Sequence, residues 1–577
     1  MLHTRNIVKS MGYKHNYFAN ERDDNLYKSK RTKYIENIFI YLIIFMVVLW
    51  LFKPAMLRYA YLLSHTKTVL FFALTLIMGV IVHFYNSIGS EDRRITLLKT
   101  LILALVHSAL YSVSMCLDTY ILKLLLGLLI LLASFVITSF TRAGEDRDFI
   151  FDWSFIAFCF VLYFWLSLFL PYDAGPDEYM RYDIPKFIYE HGTLPHGGDP
   201  EIRNVYWGFS YAFTPIAGYI PGALLMRLVS LFSTSDYALL SAARFPSVLF
   251  STGSVYFAYK IAKDILGNKW SKLFILLFAL WPEFIFISSY VNLDAMGMFS
   301  IMWILYAMLL AKKRKWSVKS CVFLGVGCGI CVMSYYNYYT VLLIAIIYSV
   351  CELLSDKTIE NKKTFLASRI AIVLFVALII GGWVFIRNYA IYDGDFLGLE
   401  TSRIYGEKYA MEQFKPSNRY TPASQGVGWL SFFFQYEWIR HSAESFIATF
   451  GYMDIYLYDA FYITTYIIAA LSTVYLLSKN TRVLLKQNSK WNICMILHIM
   501  IVLLLGISYS YFFDFQPQGR YILPMLPAML MLFTYSWIGL TKIKKRWIGY
   551  ALVSIIGTFL LVQTYVSIFD VILYSYA

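Results

Sequence analysis

The segment that decides the fold is residues 171–215, PYDAGPDEYMRYDIPKFIYEHGTLPHGGDPEIRNVYWGFSYAFTP. It gathers acidic and basic side chains, although long apolar runs flank the larger segment 171–241. Proteins in a lipid bilayer place ionisable groups sparingly, because each one that faces hydrocarbon costs roughly 3 kcal/mol. We therefore predict that 171–241 is an aqueous loop that carries the function of the chain.

Composition predicts that the chain lies in a membrane. Of its 577 residues, 59% are hydrophobic and 15% are charged, whereas a soluble domain carries about 25% charged residues. Apolar runs long enough to cross about 30 Å of hydrocarbon recur along the sequence. The net charge of +14 comes mostly from short basic loops between these runs, as is typical of cytoplasmic loops. This pattern argues against a nucleic-acid partner.

The order of the apolar runs predicts an all-α polytopic membrane protein with about 15 transmembrane helices. The predicted spans are 35–52, 69–86, 96–116, 119–140, 149–170, 242–262, 271–290, 293–311, 320–335, 340–353, 367–387, 459–478, 491–511, 521–540 and 547–569. The predicted parts are a cytoplasmic N-terminal tail (1–34), four accessory transmembrane helices (35–148), a core (149–387) that contains the first outer loop (171–241), a second outer loop (388–458) and C-terminal transmembrane helices (459–577). Both large loops are thus expected on the extracytoplasmic side.

Residues 211–232 are long enough to span the membrane, but we expect them to lie at its outer surface. Only then do the three basic loops 312–319, 479–490 and 542–547 share the cytoplasmic side, as the positive-inside rule requires. The two prolines in this segment also favour a broken interfacial helix.

This topology collects polar residues on the outer side, at the ends of predicted helices. They are Asp177, Glu178, Arg244, Asn292, Asp294, Gln518 and Arg520. Carboxylates, arginines and aromatic rings at the membrane interface suit a substrate with an anionic head and an apolar tail.

The chain resembles the GT-C glycosyltransferases, which include the protein O-mannosyltransferases and the aminoarabinose transferases of lipid A. The resemblance rests on the Asp-Glu pair after a span, the proline-rich amphipathic segment, the arginine opening the next span and the later N-x-D motif. The segments SFIATFGYMD (445–454) and QGRYILPMLP (518–527) are also similar to a bacterial membrane family grouped with that fold. The resemblance covers about residues 150–540 and leaves out the four N-terminal helices.

The resemblance implies an inverting transfer of a sugar from a polyprenyl-phosphate donor to an acceptor hydroxyl of a glycan, lipid or protein. The reaction would take place on the extracytoplasmic side of the cell membrane. It implies Asp177 as the general base, which removes the proton of the hydroxyl as the new bond forms. Glu178 would orient the acceptor or position Asp177, and Asp294 would be a second carboxylate of the site.

The leaving lipid phosphate needs fixed cations, for which the fork of an arginine is well suited. The residues expected to bind the donor phosphate are Arg520, Arg244, Arg203, Arg181 and Lys186. The residues expected to contact the rest of the substrate are Asn292, Gln518 and Tyr521.

Two alternatives stay open at this point. We expect no metal or other cofactor to be required, but a divalent cation held by Asp177, Glu178 and Asp294 is an alternative, since oxygen ligands suit such ions. The chain could also be a flippase, a transporter, or a polymerase or ligase for lipid-linked saccharides. A transporter requires ionisable groups within its spans, whereas the polar groups here gather at span ends.

Overall fold

The computed structural model describes residues 93–115, 117, 119–139 and 145–576. The predicted N-terminal tail (1–34) and the predicted spans at 35–52 and 69–86 lie outside these residues. The chain divides into two units, Met1–Trp165 and Leu166–Ala577, each with its own internal packing.

The described residues are largely helical, which confirms the all-α prediction. The α-helices are α1 Arg93–Met115, α2 Tyr120–Ser139, α3 Glu145–Phe169, α4 Glu178–His191, α5 Ile220–Ser230, α6 Asp236–Ala279, α7 Pro282–Ile287, α8 Asp294–Lys313, α9 Val318–Val332, α10 Thr340–Ser355, α11 Lys362–Ala377, α12 Trp383–Ile391, α13 Leu399–Tyr409, α14 Trp438–Ala448, α15 Asp459–Leu476, α16 Lys479–Gln487, α17 Ser489–Phe512, α18 Leu526–Leu540, α19 Arg546–Val566 and α20 Leu573–Tyr576. Two short strands, β1 Thr449–Phe450 and β2 Ile455–Tyr456, pair antiparallel.

In the first unit, α1 and α2 pack against one another. A buried hydrogen bond joins them, with 2.8 Å between His107 Nε2 and Ser134 Oγ. The Ser134 hydroxyl also lies 2.9 Å from the Ile130 carbonyl oxygen of its own helix. His107 and Ser134 thus find hydrogen-bond partners within the helix pair, as an apolar environment requires.

Within the described ranges, eight helical segments are long and apolar enough to cross a membrane. They are Phe151–Phe169, Asp294–Lys313, Tyr336–Ser355, Lys362–Ile391, Asp459–Leu476, Ser489–Phe512, Leu523–Leu540 and Arg546–Tyr576. These segments make the chain a multi-pass membrane protein. The predicted total of fifteen spans stays a prediction.

The core of the second unit is built around two buried helices, α8 and α18. Helix α8 packs between α6 and α9, while α18 packs against α15, α16 and α17. Helix α6 contacts both α8 and α18 and so connects the two groups of helices packed around them.

The structure keeps a break between the spans predicted at 242–262 and 271–290 but ends the second one early. Helix α6 consists of two helical segments that meet at a kink at Gly267, whose backbone is non-helical with a φ of 78°. The second span ends early, at Ala279, and the short helix α7 begins at Pro282. A proline has no N–H to continue a helix but fits its first turn, which explains the new start.

Residues 211–232 form a broken helix, as their prolines predict. They comprise two 3₁₀ turns, Tyr211–Phe213 and Ile216–Tyr219, followed by α5. At about 1.5 Å per residue, α5 is too short to span a bilayer. Its Leu224 and Leu228 are exposed.

The second outer loop is far more ordered than its sequence indicates. It contains the helices α13 and α14, 3₁₀ turns at Glu412–Phe414 and Pro416–Asn418, a π-helical turn at Ser431–Gln435 and the β1–β2 hairpin. Helix α14 packs against α7, which brings this loop to the end of the helix bundle where the predicted site residues lie.

Candidate functional site

A tight turn after α3 presents the Asp-Glu pair. Asp173 and Asp177 both adopt left-handed backbone conformations, with φ of 64° and 60°. The Asp173 carboxylate accepts a hydrogen bond from the Tyr179 backbone N–H at 3.1 Å. Gly175 lies so close to the Tyr290 ring that a Cβ would overlap it. The turn is therefore fixed, and α4 starts at Glu178.

Glu178 and Arg244 form a buried ion pair behind this turn. Arg244 Nε lies 2.8 Å from Glu178 Oε1, and its Nη2 lies 2.7 Å from Oε2. The remaining N–H groups of Arg244 donate to the carbonyl oxygens of Ser167, Leu170 and Pro171, at 2.6 to 2.8 Å. All five donors of the guanidinium are thus used.

This ion pair ties three segments together. Glu178 Oε1 also accepts a hydrogen bond from the Val291 backbone N–H at 2.9 Å. The end of α3, the start of α4 and the turn before α8 therefore meet at one buried carboxylate. In this arrangement Arg244, predicted to bind the donor phosphate, has no N–H left for one.

Asp177 lies in front of this pair, with about a quarter of its side chain exposed (26%). Its Oδ2 accepts hydrogen bonds from the Tyr211 hydroxyl at 2.9 Å and from Arg520 Nη2 at 3.2 Å. Arg181 Nη2 lies 4.0 Å from the same oxygen. The sequence places Arg520 far along the chain, and the structure brings it to the Asp-Glu turn.

The pKa of Asp177 reflects opposing effects. Burial raises it, but the positive charges of Arg520 and Arg181 and the hydrogen bond from Tyr211 outweigh burial. The pKa therefore lies below its ordinary value, and Asp177 is ionised at neutral pH.

Asp294 pairs with Arg181 at the start of α8. Arg181 Nη1 lies 3.5 Å from Asp294 Oδ2, and both side chains are buried. The turn before α8 is capped by Asn292, whose Oδ1 accepts a hydrogen bond from the Ala295 N–H at 2.9 Å. Asn292, and not Asp294, therefore caps the start of α8, and the Asp294 carboxylate faces Arg181.

Several buried polar atoms of this cluster have no hydrogen-bond partner among the described residues. They are Nε, Nη1 and Nη2 of Arg181, Nε and Nη1 of Arg520, both carboxylate oxygens of Asp294, Oε2 of Glu283 and Oε1 of Gln518. Buried polar groups in proteins are nearly always bonded. Their concentration at one place is typical of a site that binds a polar ligand.

The Arg520 turn is held by the second outer loop. The Gly519 N–H donates to Ser445 Oγ at 2.5 Å, and a Cβ at Gly519 would overlap the backbone of Ser445 and Phe446. The motifs SFIATFGYMD and QGRY therefore contact one another directly, which their separation in sequence does not reveal.

Aromatic rings surround the two arginines. The Arg181 guanidinium lies 4.9 Å from the Tyr211 ring centre and 5.8 Å from that of Tyr335. Arg520 lies 5.3 Å from the ring centre of Tyr521, a residue predicted to contact substrate. These rings hold the guanidinium groups through cation–π contacts.

Sequence reasoning missed Tyr211 and Glu283. Glu283 lies at the start of α7 and is buried. A carboxylate inside the apolar run 271–290 was the available signal, since such groups are rare and functional in membranes.

Two of the predicted phosphate ligands, Arg203 and Lys186, lie away from the contacts around Asp177 and Asp294. Arg203 stacks over the Tyr409 ring, with 3.8 Å to the ring centre, and donates to the Gly198 carbonyl at 3.4 Å. Lys186 is exposed on α4. Burial raises the pKa of the neighbouring Asp183, and the charge of Lys186 offsets this only in part. Neither shares a recorded contact with Asp177 or Asp294 in the described part of the chain.

Gln518 lies beside the arginine turn, where its amide group donates to Gln516 Oε1 at 2.9 Å. The Tyr521 hydroxyl lies 3.4 Å from the same Gln516 oxygen. Gln516 thus connects two of the predicted substrate contacts, while Asn292 serves as the cap described above.

The three carboxylates expected to hold a divalent cation each face an arginine, as in the pairs Asp177–Arg520, Glu178–Arg244 and Asp294–Arg181. Their charges are thereby balanced within the protein. Among the described residues, the group whose spacing fits a cation is Glu190, His191 and Glu201, all exposed.

An apolar cavity of about 260 Å³ lies beside the Arg520 turn. Trp281, Phe446, Ile522 and Met525 contribute to its lining. The Trp281 indole N–H donates to the Phe446 carbonyl at 2.6 Å, next to the Ser445–Gly519 contact. A second cavity of about 370 Å³ shares lining residues with the first.

Comparison with known proteins gives a family match and distant structural likenesses. A family model described as dolichyl-phosphate-mannose-protein mannosyltransferase matches residues 222–380. This stretch contains Arg244 and Asp294 but neither Asp177 nor Arg520. The chain matches no curated protein.

Among solved structures, ArnT from Cupriavidus metallidurans bound to undecaprenyl phosphate is similar, with a TM-score of 0.40, 16% identity, and coverage of 70% of this chain and 63% of that chain. The archaeal oligosaccharyltransferase AglB from Archaeoglobus fulgidus, in complex with an inhibitory peptide and a dolichol-phosphate, has a TM-score of 0.44, 12% identity, and coverage of 72% and 55%. Likenesses this distant do not assign a function. The match over residues 222–380 supports the predicted resemblance to the protein O-mannosyltransferases within that stretch.

Proposed function

We propose that the protein transfers a sugar from a prenyl-phosphate-linked donor to an acceptor hydroxyl, with inversion at the anomeric carbon. The observation that carries this proposal is Asp177, a partly exposed carboxylate whose Oδ2 faces Arg520 and Arg181. A base and two cations beside one another are what this reaction requires at its reacting centre.

The free oxygen of Asp177 is the one suited to remove a proton. Oδ2 is engaged by Tyr211 and Arg520, which leaves Oδ1 for the acceptor. The acceptor hydroxyl gives its proton to Oδ1 while its oxygen bonds to the anomeric carbon. The bond from that carbon to the phosphate oxygen breaks on the opposite face, and its electron pair leaves with the phosphate.

Arg181 and Arg520 would neutralise the charge that develops on the leaving phosphate. Both are buried and both keep N–H groups without a partner among the described residues. Because both reach the same oxygen of Asp177, one phosphate group can lie between them. Paired N–H bonds from arginine to phosphate are strong and directional.

The apolar cavity beside Ile522 and Met525 suits the prenyl chain of the donor. Ile522 ends the 3₁₀ turn that holds Arg520, and Met525 ends the next one. A lipid whose phosphate meets Arg520 can therefore lay its first isoprene units on this surface. A prenyl chain in that cavity would bury apolar area at about 25 cal/mol per Å².

The site would face the outside of the cell. Helix α8 begins at Asp294 and ends at Lys312 and Lys313, which places the site and the basic loop about 28 Å apart at 1.5 Å per residue. Basic loops mark the cytoplasmic side. Labelling of single cysteines at exposed Val205 and at Lys315 from either side of the membrane tests this orientation.

Reconstituted protein with a synthetic polyprenyl-phosphate sugar tests the reaction. Asp177→Asn should lower the rate by about 10²–10⁴, and Arg520→Ala by about 10²–10³. Glu400→Gln is the matched control, since Glu400 is an exposed carboxylate paired with Arg403 rather than with an arginine of the site. Transfer at the wild-type rate in both site variants would refute the proposal, and movement of the donor lipid without its consumption would favour a flippase.

A further inference from the structure

One oxygen atom connects the base with both phosphate ligands of the proposed reaction. Asp177 Oδ2 lies 3.2 Å from Arg520 Nη2 and 4.0 Å from Arg181 Nη2. Arg244, the other buried arginine near this turn, is fully used by Glu178 and three carbonyl groups. The carboxylate that should accept a proton therefore already serves as an anion for the cations that should bind the donor.

We propose that Asp177 and the donor phosphate compete for Arg181 and Arg520, so that donor binding releases Asp177 to act as the base. This inference rests on the proposed function and adds to it the order in which the site becomes active. Before the donor binds, the two arginines hold Asp177. Once the phosphate binds, it draws the guanidinium groups toward itself.

The geometry supports a competition rather than two independent contacts. Arg520 keeps Nε and Nη1 without a partner among the described residues but gives Nη2 to Asp177. A guanidinium binds a phosphate best through two parallel N–H bonds. Both edges through which Arg520 can make such a pair of bonds include Nη2, so a phosphate bound at either edge shares this nitrogen with Asp177.

Arg181 faces a similar choice, because its Nη1 lies near Asp294 and its Nη2 near Asp177. A bound phosphate adds a negative charge close to Asp177, and the two anions repel one another. Both effects weaken the hold of the arginines on the carboxylate.

The charged and titratable groups that act on Asp177 come from several segments. They are Arg181, Tyr179 and Asp173 around its own turn, Tyr211 and Tyr219 from the following segment, Arg520 from the last outer turn and Tyr452 from the second outer loop. Of these, only the two arginines carry positive charge. Arg520 and Arg181 lower the pKa of Asp177, so loss of their contact makes it a stronger base.

The competition gives the reaction a natural reset. The base takes the acceptor proton while the phosphate holds the arginines, and the lipid phosphate then leaves. The arginines return to Asp177, which becomes a weaker base and gives the proton to water. Each cycle consumes one donor and one acceptor hydroxyl and releases one proton and one lipid phosphate.

The test is the affinity for a substrate-like anion that cannot react. The probe is farnesyl methyl phosphate, a phosphodiester that keeps one negative charge across the working pH range, bound to purified protein in detergent micelles and measured by calorimetry. Asp177→Asn removes the competing charge and should bind this probe about tenfold more tightly, since charge-assisted bonds exceed neutral ones by about that factor. Asparagine tolerates the left-handed backbone of position 177, so the turn is kept.

Glu400→Gln, which removes an exposed carboxylate paired with Arg403, is the control and should bind the probe as the wild type does. A second measurement needs no variant: wild-type affinity should rise as the pH falls toward the pKa of Asp177, because protonation frees the arginines. In Asp177→Asn the affinity should not change with pH.

Equal or weaker binding by Asp177→Asn, or wild-type affinity independent of pH, overturns the competition. If the wild type transfers sugar but either result is found, only this inference fails. If the wild type neither binds the probe nor transfers sugar, the proposed function fails with it.

Discussion

The Glu178–Arg244 pair permits a sharp prediction about stability. Arg244→Met removes five N–H donors from a buried site and leaves Glu178 as an unpaired buried charge. Breaking a buried ion pair in this way costs about 3–5 kcal/mol, and the carbonyl groups that lose a donor add about 1 kcal/mol each. Total stabilities are about 5–15 kcal/mol, so we expect a protein that is barely folded.

The assay is the free energy of unfolding in mixed micelles with increasing SDS, followed by tryptophan fluorescence. A second variant, Glu178→Gln together with Arg244→Met, should recover much of the loss, because the amide oxygen can still accept the Val291 N–H. The matched control is Arg403→Met, which breaks an exposed pair with Glu400 and should change stability little.

The contrasting role for Arg244 is that of a phosphate ligand. In that case the free energy of unfolding of Arg244→Met would be as little changed as that of Arg403→Met. The defect of Arg244→Met would instead be a raised KM for the donor. That result would refute the reasoning from the five hydrogen bonds.

Three further predictions concern single positions. Gly519→Ala forces a Cβ into the backbone of Ser445 and Phe446, and should cost about 1–3 kcal/mol and abolish transfer, whereas Gly428→Ala, where nothing lies within 4 Å, should leave melting temperature and activity unchanged. Tyr211→Phe removes one hydrogen bond that lowers the pKa of Asp177, so the acid limb of the pH–rate profile should move to higher pH, and an unmoved limb would contradict the assigned contact. Burial raises the pKa of Asp183 to about 6, although the charge of Lys186 opposes this. Because the folded state then binds this proton more tightly than the unfolded state, the free energy of unfolding should fall as the pH rises from about 4 to 6. If the melting temperature of Asp183→Asn falls with pH as steeply as that of the wild type, Asp183 is not the cause.

The sequence predicted the helical segments of the described chain well where one span stands alone. The spans at 293–311, 459–478 and 491–511 correspond closely to α8, α15 and α17. An apolar run flanked by polar residues has only one way to satisfy its backbone in lipid. The break predicted between the spans 242–262 and 271–290 corresponds to the kink at Gly267. The early end at Ala279 and the new start at Pro282 were not predicted.

The candidate site was predicted in part. Asp177, Asp294, Arg181 and Arg520 were all singled out by sequence, and the structure brings them to one cluster. The sequence did not distinguish Arg244 from a phosphate ligand, since the partners that occupy its N–H groups are mostly backbone carbonyls. Such partners leave no trace in residue type.

By itself, the sequence determined the membrane class, the helical architecture and the segments that carry ionisable groups. These follow from hydropathy and from the cost of charge in hydrocarbon, which act locally along the chain. Only the tertiary structure decided which arginine meets which carboxylate and which of them keeps free N–H groups. Those assignments depend on distances of a few ångströms between residues far apart in sequence, as between Asp177 and Arg520, and no local pattern encodes them.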